Sequence, residues 1–146
     1  MLTCLRQGDG LSPTLFNFAL EKIIRKTFRE NFEGIQVEGK NLAYLAYADD
    51  ISLLSSSQEE LRQMTRALKA AANKFGLIVN ETKTEYLNMT RGQGHVFGQL
   101  QSLRVGDQSY KRVHEFKYLG SLFTENSSCE AEINARTQQE TELSTA

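Results

Sequence analysis

The feature that most constrains the fold of this chain is a pair of adjacent acids inside an otherwise apolar stretch. Asp49 and Asp50 follow the apolar run 42–48 and precede the largely apolar segment 51–54. An ionised carboxylate is costly in an apolar interior without a partner, so the acids must lie at an exposed turn or bind cations. The pattern therefore predicts antiparallel strands near 42–47 and 51–54, joined by a solvent-facing turn. Tight hairpins prefer Asn-Gly or Asp-Gly, which are missing here, so backbone strain is expected.

Helical and extended patterns surround this hairpin. Apolar spacing predicts one helix from about Pro13 to Arg29 and a second that begins at the capping box Ser57–Glu60 and ends before Gly76. Shorter strand candidates are 35–37, 77–79, 84–89, 103–105 and 116–119, with a turn at 38–41. Together these elements predict an α+β fold in which both helices pack on one face of a mainly antiparallel sheet.

Size and charge predict one modest domain with an acidic tail. The chain has 146 residues, of which 40% are hydrophobic, and a formal net charge of −1. Five acids lie in residues 125–146 against one arginine, which leaves 13 acids and 16 basic residues in residues 1–124. We therefore predict a folded body over 1–124 and an acidic tail over 125–146. The mildly basic body is compatible with a phosphate backbone, but charge balance alone favours a solvated mixed-charge surface.

The sequence favours an intracellular compartment and no membrane span. Every window of the roughly 18 residues that a span requires contains charge, and the first residues lack the pattern of a secretory signal. Cys4 and Cys129 belong to no Cys/His cluster, so they are expected to be plain thiols and not parts of a disulfide framework or zinc site.

A second polar segment, Leu5-Arg6-Gln7-Gly8-Asp9-Gly10-Leu11-Ser12-Pro13, runs directly into the first predicted helix. Free backbone N–H groups and the helix dipole favour anions at such a junction, so the segment is a candidate phosphate site. A plain loop-to-helix turn explains the same residues. Likewise, Asp49 and Asp50 taken alone could be solubilising turn residues.

Taken together, these motifs resemble those of reverse transcriptases from non-long-terminal-repeat, LINE-like retrotransposons. The segment 5–17 is similar to motif B, although many members have proline where Gly10 stands. Tyr47-Ala48-Asp49-Asp50 resembles motif C at the expected distance downstream. Further segments at 75–85 and 116–120 resemble motifs D and E, so the likeness covers about residues 1–135.

The resemblance implies part of a polymerase palm that transfers nucleotides through two divalent metal ions. In the complete enzyme the partners would be an RNA template, a DNA primer and a deoxynucleoside triphosphate. The metal would be Mg²⁺, with Mn²⁺ as a substitute. Asp49 carries over as the bridging metal ligand and Asp50 as the accessory one, because hard cations prefer carboxylate oxygen.

Other residues carry over with less direct roles. The predicted template and nucleotide site comprises Arg6, Gln7, Gly8, Asp9 and Tyr47. Lys83 would be a general acid for the leaving pyrophosphate, where a solvated surface lysine is the plain alternative. The predicted primer grip comprises Phe116, Tyr118, Leu119 and Gly120, for which a hydrophobic β-turn is the alternative.

The family's motif A, which carries the first catalytic aspartate, would lie upstream of motif B, and Asp9 cannot replace it. We therefore expect the chain alone to be inactive in polymerisation. A non-enzymatic alternative is a remnant that serves as a protein or RNA interaction module. Its strand edges, left without sheet partners, would favour self-association.

Overall fold

The computed structural model describes residues 12–28, 32–89 and 102–125, and the chain divides into two compact units, Met1–Val79 and Asn80–Ala146. Among these described residues, unit 1 holds helices α1 and α2 and four strands, and unit 2 holds five strands. In chain order the elements are α1 (Ser12–Phe28), β1 (Ile35–Val37), β2 (Lys40–Leu42), β3 (Tyr44–Tyr47), β4 (Asp50–Leu53), α2 (Gln58–Asn73), β5 (Glu85–Leu87), β6 (Ser102–Val105), β7 (Gln108–Val113), β8 (Glu115–Tyr118) and β9 (Ser121–Thr124). The predicted α+β class is confirmed.

Helix α1 forms because its apolar residues recur on one face. The buried side chains are Leu20, Ile23, Ile24, Thr27 and Phe28, which follow helical spacing. Arg25 and Lys26 lie in the last turn, where positive charge complements the helix dipole. The predicted helix is thus confirmed, with each end within one residue of its predicted position.

Helix α2 has a sequence-encoded beginning and end. The hydroxyl of Ser57 accepts a hydrogen bond from the Glu60 backbone N–H at 3.1 Å, which confirms the N-cap half of the predicted capping box. The reciprocal half is wrong, because the Ser57 N–H donates to Ser55 Oγ and not to the Glu60 carboxylate. At the other end Gly76 adopts φ 73, its N–H donates to Asn73 O, and the Leu77 N–H donates to Ala72 O. This paired bonding is a Schellman ending.

The strand predicted at 77–79 is therefore wrong. The backbone of Leu77 completes the end of α2, and its side chain packs against the unit 1 core, whereas Ile78 is 87% exposed. A short apolar run alone could not distinguish a strand from a helix ending that returns to the core.

The core of unit 1 joins both helices to one face of the β3–β4 hairpin. Its buried members are Leu20, Ile23, Ile24, Phe28, Met64 and Leu68. From the hairpin, Tyr44, Ile51 and Leu53 pack against this cluster. In the antiparallel register Tyr44 lies opposite Leu53 and Ala46 opposite Ile51, so these residues share a face. Within unit 1 both helices thus pack on the same face of the hairpin, as predicted.

The predicted continuous strand 42–47 is interrupted at Ala43. Before that residue β2 pairs with β1, and after it β3 pairs with β4, in each case antiparallel. The Ala43 carbonyl accepts a hydrogen bond from the Leu54 N–H at 2.8 Å. The chain therefore changes its strand partner at Ala43, a change that apolar patterning does not encode.

In the described part of unit 2, the strands form a three-stranded sheet and a separate hairpin. The sheet has the order β5-β7-β6, in which β6 and β7 are antiparallel and β5 is parallel to β7. Its buried side chains are Tyr86, Leu103, Val105 and Tyr110. Strand β7 was not predicted, because its sequence, Gln-Ser-Tyr-Lys-Arg-Val, is largely polar. Strands β8 and β9 form the antiparallel hairpin.

Among the described residues, no helix is long and apolar enough to cross a membrane. The predicted boundary between a body over 1–124 and an acidic tail stays a prediction, because residues 126–146 lie outside the described ranges. The two cysteines lie outside them as well.

Candidate functional site

The β3–β4 hairpin places the two acids of the sequence motif at its tip. Ala48 and Asp49 form the two-residue turn, and Tyr47 lies directly opposite Asp50 at the last rung of the ladder. Both carboxylates are exposed. The predicted location, a solvent-facing hairpin turn, is confirmed, and water can solvate charges that the apolar strands could not tolerate.

The turn also contains the predicted backbone strain. Ala48 adopts φ 50, which is the left-handed region that residues with a Cβ rarely occupy. A residue held there costs about 1–2 kcal/mol unless its surroundings compensate. Ala48 directly precedes Asp49, so the strained backbone helps to set the direction of the Asp49 side chain.

The two faces of the hairpin differ in chemistry. Tyr44 and Ile51 point to the helical core, whereas Leu45, Tyr47 and Asp50 belong to the opposite face by strand alternation. Tyr47 is 65% exposed and Leu45 is 37% exposed. An aromatic ring and a carboxylate therefore lie side by side on an open surface.

A groove of about 300 Å³ lies beside the hairpin, between α1 and β3. It is lined by Asn17, Leu20, Glu21, Ile24, Arg25, Tyr44, Ala46 and Ala48. Its charged residues, Glu21 and Arg25, form an exposed ion pair at 2.6 Å. Exposed pairs of this kind contribute little to stability. The groove was not predicted, since it arises from the packing of α1 on β3.

The base of the hairpin is held by Glu60, which the sequence suggested only as part of a capping box. Its carboxylate accepts hydrogen bonds from the backbone N–H groups of Glu33 at 2.7 Å and Gly34 at 3.1 Å, and from the Ser55 hydroxyl. Burial raises the pKa of the Glu60 carboxyl, but the hydrogen bonds from Ser55, Gly34 and Glu33 outweigh it and lower the pKa below its ordinary value. Sequence reasoning missed this role because Glu33 and Gly34 are 26 or more positions away.

Lys83 lies in unit 2, whereas the two acids lie in unit 1. It is exposed and ends the turn 81–83, where its backbone N–H donates to Asn80 Oδ1 at 3.3 Å. The Thr84 hydroxyl donates to the Asn80 carbonyl at 2.7 Å and closes the same turn. The turn fixes the backbone at Lys83, and its role in proton transfer stays a prediction.

The four residues predicted as a primer grip share the β8–β9 hairpin. Phe116 and Tyr118 lie on one face of β8, with ring centroids 6.5 Å apart and planes inclined by 20°. Leu119 and Gly120 form the turn with φ 49 and 84, and Leu119 is 56% exposed. An apolar side chain therefore occupies a strained, solvent-facing apex.

The remaining predicted site residues, Arg6, Gln7, Gly8 and Asp9, lie outside the described residues. Within the described ranges, no group of three or more His, Cys, Asp or Glu side chains is arranged to hold a metal ion. Asp49 and Asp50 are thus two adjacent exposed acids at the hairpin tip, and their role as metal ligands stays a prediction.

Comparisons with known proteins agree with the motif pattern. Residues 2–123 match the family described as "Reverse transcriptase (RNA-dependent DNA polymerase)". The chain is 26% identical over 136 residues to a Pol polyprotein of the type-1 retrotransposable element R2 from Nasonia vitripennis. It is 31% identical over 125 residues to the polyprotein of the type-2 element R2DM from Drosophila melanogaster.

The matched regions cover most of this chain but little of its relatives. They include 89% and 82% of this chain, and 13% and 12% of the Nasonia and Drosophila polyproteins. The polyproteins' activities therefore cannot be transferred whole to the chain. The family match nevertheless covers the hairpin of Asp49 and Asp50 and all of the β8–β9 hairpin except its last residue, Thr124. The chain belongs to the reverse transcriptase (RNA-dependent DNA polymerase) family and represents a reverse transcriptase domain of a LINE-like retrotransposon.

Proposed function

We propose that this chain is part of a polymerase palm in which Asp49 and Asp50 hold divalent metal for nucleotidyl transfer. The observation that carries the proposal is the exposed pair of carboxylates at the tip of a hairpin anchored on a helical core. Such anchoring suits a metal site, since a rigid element keeps ligand oxygens in place between turnovers.

The donor chemistry fits Mg²⁺, with Mn²⁺ as a substitute. Mg²⁺ is commonly bound by one or two carboxylates together with water and substrate phosphates. Asp49 and Asp50 supply two carboxylates, so further donors would come from a nucleotide, water or residues outside the described ranges. When bound, a metal pair activates the primer 3′-hydroxyl and stabilises the charge on the leaving pyrophosphate.

The residues around the tip would prepare the site for nucleic acid. Asp49 is proposed as the bridging ligand and Asp50 as the accessory one. The exposed ring of Tyr47, on the same face as Asp50, offers a surface on which a base or sugar can pack. Arg6, Gln7, Gly8 and Asp9 are proposed to line the same nucleotide and template site.

The predicted residues of unit 2 would act on the primer and the leaving group. The exposed apex of the β8–β9 hairpin offers Leu119 to a primer end, with the stacked Phe116 and Tyr118 rings on the adjacent strand. Lys83, on an exposed turn, is proposed to donate a proton to pyrophosphate. The partners of the complete protein would be RNA template, DNA primer and deoxynucleoside triphosphate, in an intracellular compartment.

Metal binding at the turn can be tested by paramagnetic broadening of amide signals with Mn²⁺. We expect broadening centred on residues 47–51, with half-saturation no tighter than about millimolar, because two exposed carboxylates are a weak site for a strongly hydrated cation. The double variant Asp49→Asn/Asp50→Asn should lose it. Glu38→Gln, which removes an exposed acid from the β1–β2 turn of the same unit, should retain it. Broadening centred on residues 130–142 instead would refute the site.

Catalysis can be tested by primer extension on poly-rA with Mg²⁺ or Mn²⁺. We expect background incorporation from the chain alone, because a two-carboxylate site leaves a metal pair underliganded. Incorporation should depend on Asp49 in a polyprotein that contains this chain. Template-dependent extension by the chain alone that disappears in Asp49→Ala would show that the site is already complete.

A second candidate function, a protein or RNA interaction module, is favoured by one observation. Within the described residues β1–β2 and β3–β4 are both two-stranded, and Val37 and Leu45 on them are 45% and 37% exposed. Strands with open edges pair readily with other strands. Concentration-dependent self-association measured by light scattering, together with no metal binding at the turn, would favour this module over the catalytic proposal.

A further inference from the structure

We infer that Glu60 is a positioning residue that fixes the β3–β4 hairpin and thereby the direction of Asp49 and Asp50. The inference rests on the proposed function only for its metal-binding consequence. Glu60 lies in the first turn of α2, and its carboxylate bonds backbone N–H groups near the base of the hairpin. Its effect on Asp49 and Asp50 at the tip is therefore indirect.

One carboxylate holds chain segments that come before and after the hairpin. Oε1 accepts from the N–H groups of Glu33 and Gly34, which precede β1. Oε2 accepts from the hydroxyl of Ser55, two residues after β4 ends. Because two backbone donors and one hydroxyl converge on a single charged group, these are hydrogen bonds of the stronger, charge-assisted type.

Gly34 transmits this restraint to the strand that leads to the acids. It adopts φ 67, and a Cβ at this position would lie 2.3 Å from Leu42 O and 2.5 Å from Ala43 Cα. The Gly34 backbone therefore lies directly against the residues that precede β3. Ala43 in turn accepts the hydrogen bond from Leu54 that closes the hairpin base. The contacts thus run without a gap from Glu60 to both strands.

A simple capping role does not explain the arrangement. In a capping box the Glu60 side chain would bond the Ser57 backbone N–H, but that N–H donates to Ser55 Oγ at 3.1 Å. The N-cap bond from Ser57 needs only the backbone of Glu60. The Glu60 carboxylate therefore takes no part in capping α2 and instead bonds the segment before β1.

Glu59 provides a matched control. It lies in the same first turn, and its carboxylate pairs with the neighbouring helix residue Arg62 at 3.3 Å, with 63% of the Glu59 side chain exposed. Both acids interact with the helix dipole similarly. Comparing Glu60→Ala with Glu59→Ala in the full chain therefore removes the dipole effect and isolates the long-range contacts.

The first readout is amide hydrogen exchange without metal, scaled to the core amides of Met64 and Leu68. In Glu60→Ala we expect the scaled exchange rates of the Leu54 amide and of residues 44–53 to be about tenfold higher than in the parent chain. The reason is that the charge-assisted hydrogen bonds at the hairpin base are lost. Glu60→Gln, which retains one acceptor oxygen, should show an intermediate increase, and Glu59→Ala a change below about twofold. An equal acceleration at the hairpin and at the helix core would overturn the positioning role.

The second readout is the Mn²⁺ concentration for half-maximal broadening of residues 47–51 in variants whose folded fraction equals that of the parent. It should rise about three- to tenfold in Glu60→Ala and stay unchanged in Glu59→Ala, because misaimed carboxylates bind less well. A lower melting temperature with unchanged Mn²⁺ affinity would show that Glu60 is merely structural. If the parent chain shows no broadening, the metal proposal fails, while the exchange comparison still decides the role of Glu60. Should Glu60→Ala not fold, Glu60→Gln, which retains one acceptor oxygen but loses the charge, decides by the same two measurements.

Discussion

The β3–β4 and β8–β9 hairpins both place a residue other than glycine at positive φ in the first turn position. Ala48 adopts φ 50 and Leu119 adopts φ 49. In the β3–β4 turn, Ala48 is followed by the exposed acids Asp49 and Asp50. In the β8–β9 turn, the exposed Leu119 is followed by Gly120. The turn Leu119-Gly120 has positive φ at both residues and lacks the Asn that would suit its first position, whereas Ala48-Asp49 has positive φ at its first residue and lacks the Gly that would suit it. At the first position of both turns, a residue with a Cβ thus occupies a backbone conformation that glycine or asparagine would adopt with less strain.

The bases of the two hairpins differ more than their tips. The β3–β4 hairpin is held by an apolar face on the helices, by close backbone contact with Gly34 and by the Glu60 carboxylate, which bonds mainly backbone N–H groups. The β8–β9 hairpin is held by an ionic cluster: Arg112 donates to Glu125 Oε1 at 2.9 and 2.7 Å, and His114 Nδ1 lies 2.9 Å from Oε2. The difference implies that a Cβ added at Gly34 should disrupt the β3–β4 hairpin, whereas loss of the Glu125 charge should disrupt the β8–β9 hairpin.

The largest expected effect is that of Gly34→Ala on unit 1. The added Cβ would overlap backbone atoms that cannot move independently, and φ 67 is unfavourable for alanine. We therefore expect the free energy of unfolding of unit 1 to fall by more than about 3 kcal/mol. Gly39→Ala is the control, since φ is 77 but no atom lies within 4 Å, and it should cost only about 1–2 kcal/mol. Urea unfolding followed at unit 1 amides measures both. Equal losses would show that the close approach at Gly34 is unimportant.

These contacts also mark what sequence could predict. Asp49-Asp50 within an apolar stretch predicted the β3–β4 turn because burial of charge is costly wherever it occurs. Ser57 predicted the start of α2 because capping is a local interaction. The Glu60–Gly34 contact and the change of strand partner at Ala43 depend on segments brought together by packing, so local pattern could not predict them.

A similar distinction applies to unit 2. The apolar residues of β8 predicted a strand, whereas β7 was missed because only Tyr110 and Val113 are apolar among its six residues. Tyr110 is nevertheless buried, and β7 is the central strand of its sheet. Its polar side chains are accommodated by exposure and by pairing, as with Arg112 and Glu125. Hydrogen bonding to β5 and β6 on both sides therefore stabilises β7 as a strand, although its polar sequence does not predict one.

The second prediction concerns pH and the ionic base of the β8–β9 hairpin. Hydrogen bonds from His114 and Arg112 hold the pKa of the Glu125 carboxyl below its ordinary value. Its contribution to stability is therefore complete above the ordinary carboxyl range and is lost as pH falls through the lowered pKa. At neutral pH Glu125→Gln should reduce the local opening free energy of β8–β9 by about 1–2 kcal/mol and flatten this acid dependence.

Glu115→Gln is the control for that variant, because it removes the same charge from an exposed position of the same hairpin. It should change the opening free energy by less than about 0.5 kcal/mol. Hydrogen exchange of the β9 amides at several pH values measures both variants. An unchanged acid dependence in Glu125→Gln would mean that the cluster does not hold the hairpin.

The smallest expected effect comes from giving each turn a residue that suits its backbone. Leu119→Asn creates Asn-Gly at positive φ and should stabilise β8–β9 by about 0.5–1 kcal/mol, and Ala48→Gly should stabilise β3–β4 by about 0.5 kcal/mol. The gain is smaller at Ala48 because glycine also has more freedom to lose on folding. Gly120→Ala is the opposite control: no atom lies within 4 Å of an added Cβ, so φ 84 alone should make it destabilising by about 1 kcal/mol. Thermal unfolding and exchange at each hairpin measure the three variants. The contrary outcome is that Leu119→Asn and Ala48→Gly fail to stabilise their hairpins while Gly120→Ala still destabilises β8–β9. The native side chains of Leu119 and Ala48 would then make contacts that compensate for the backbone strain, and their role would be structural.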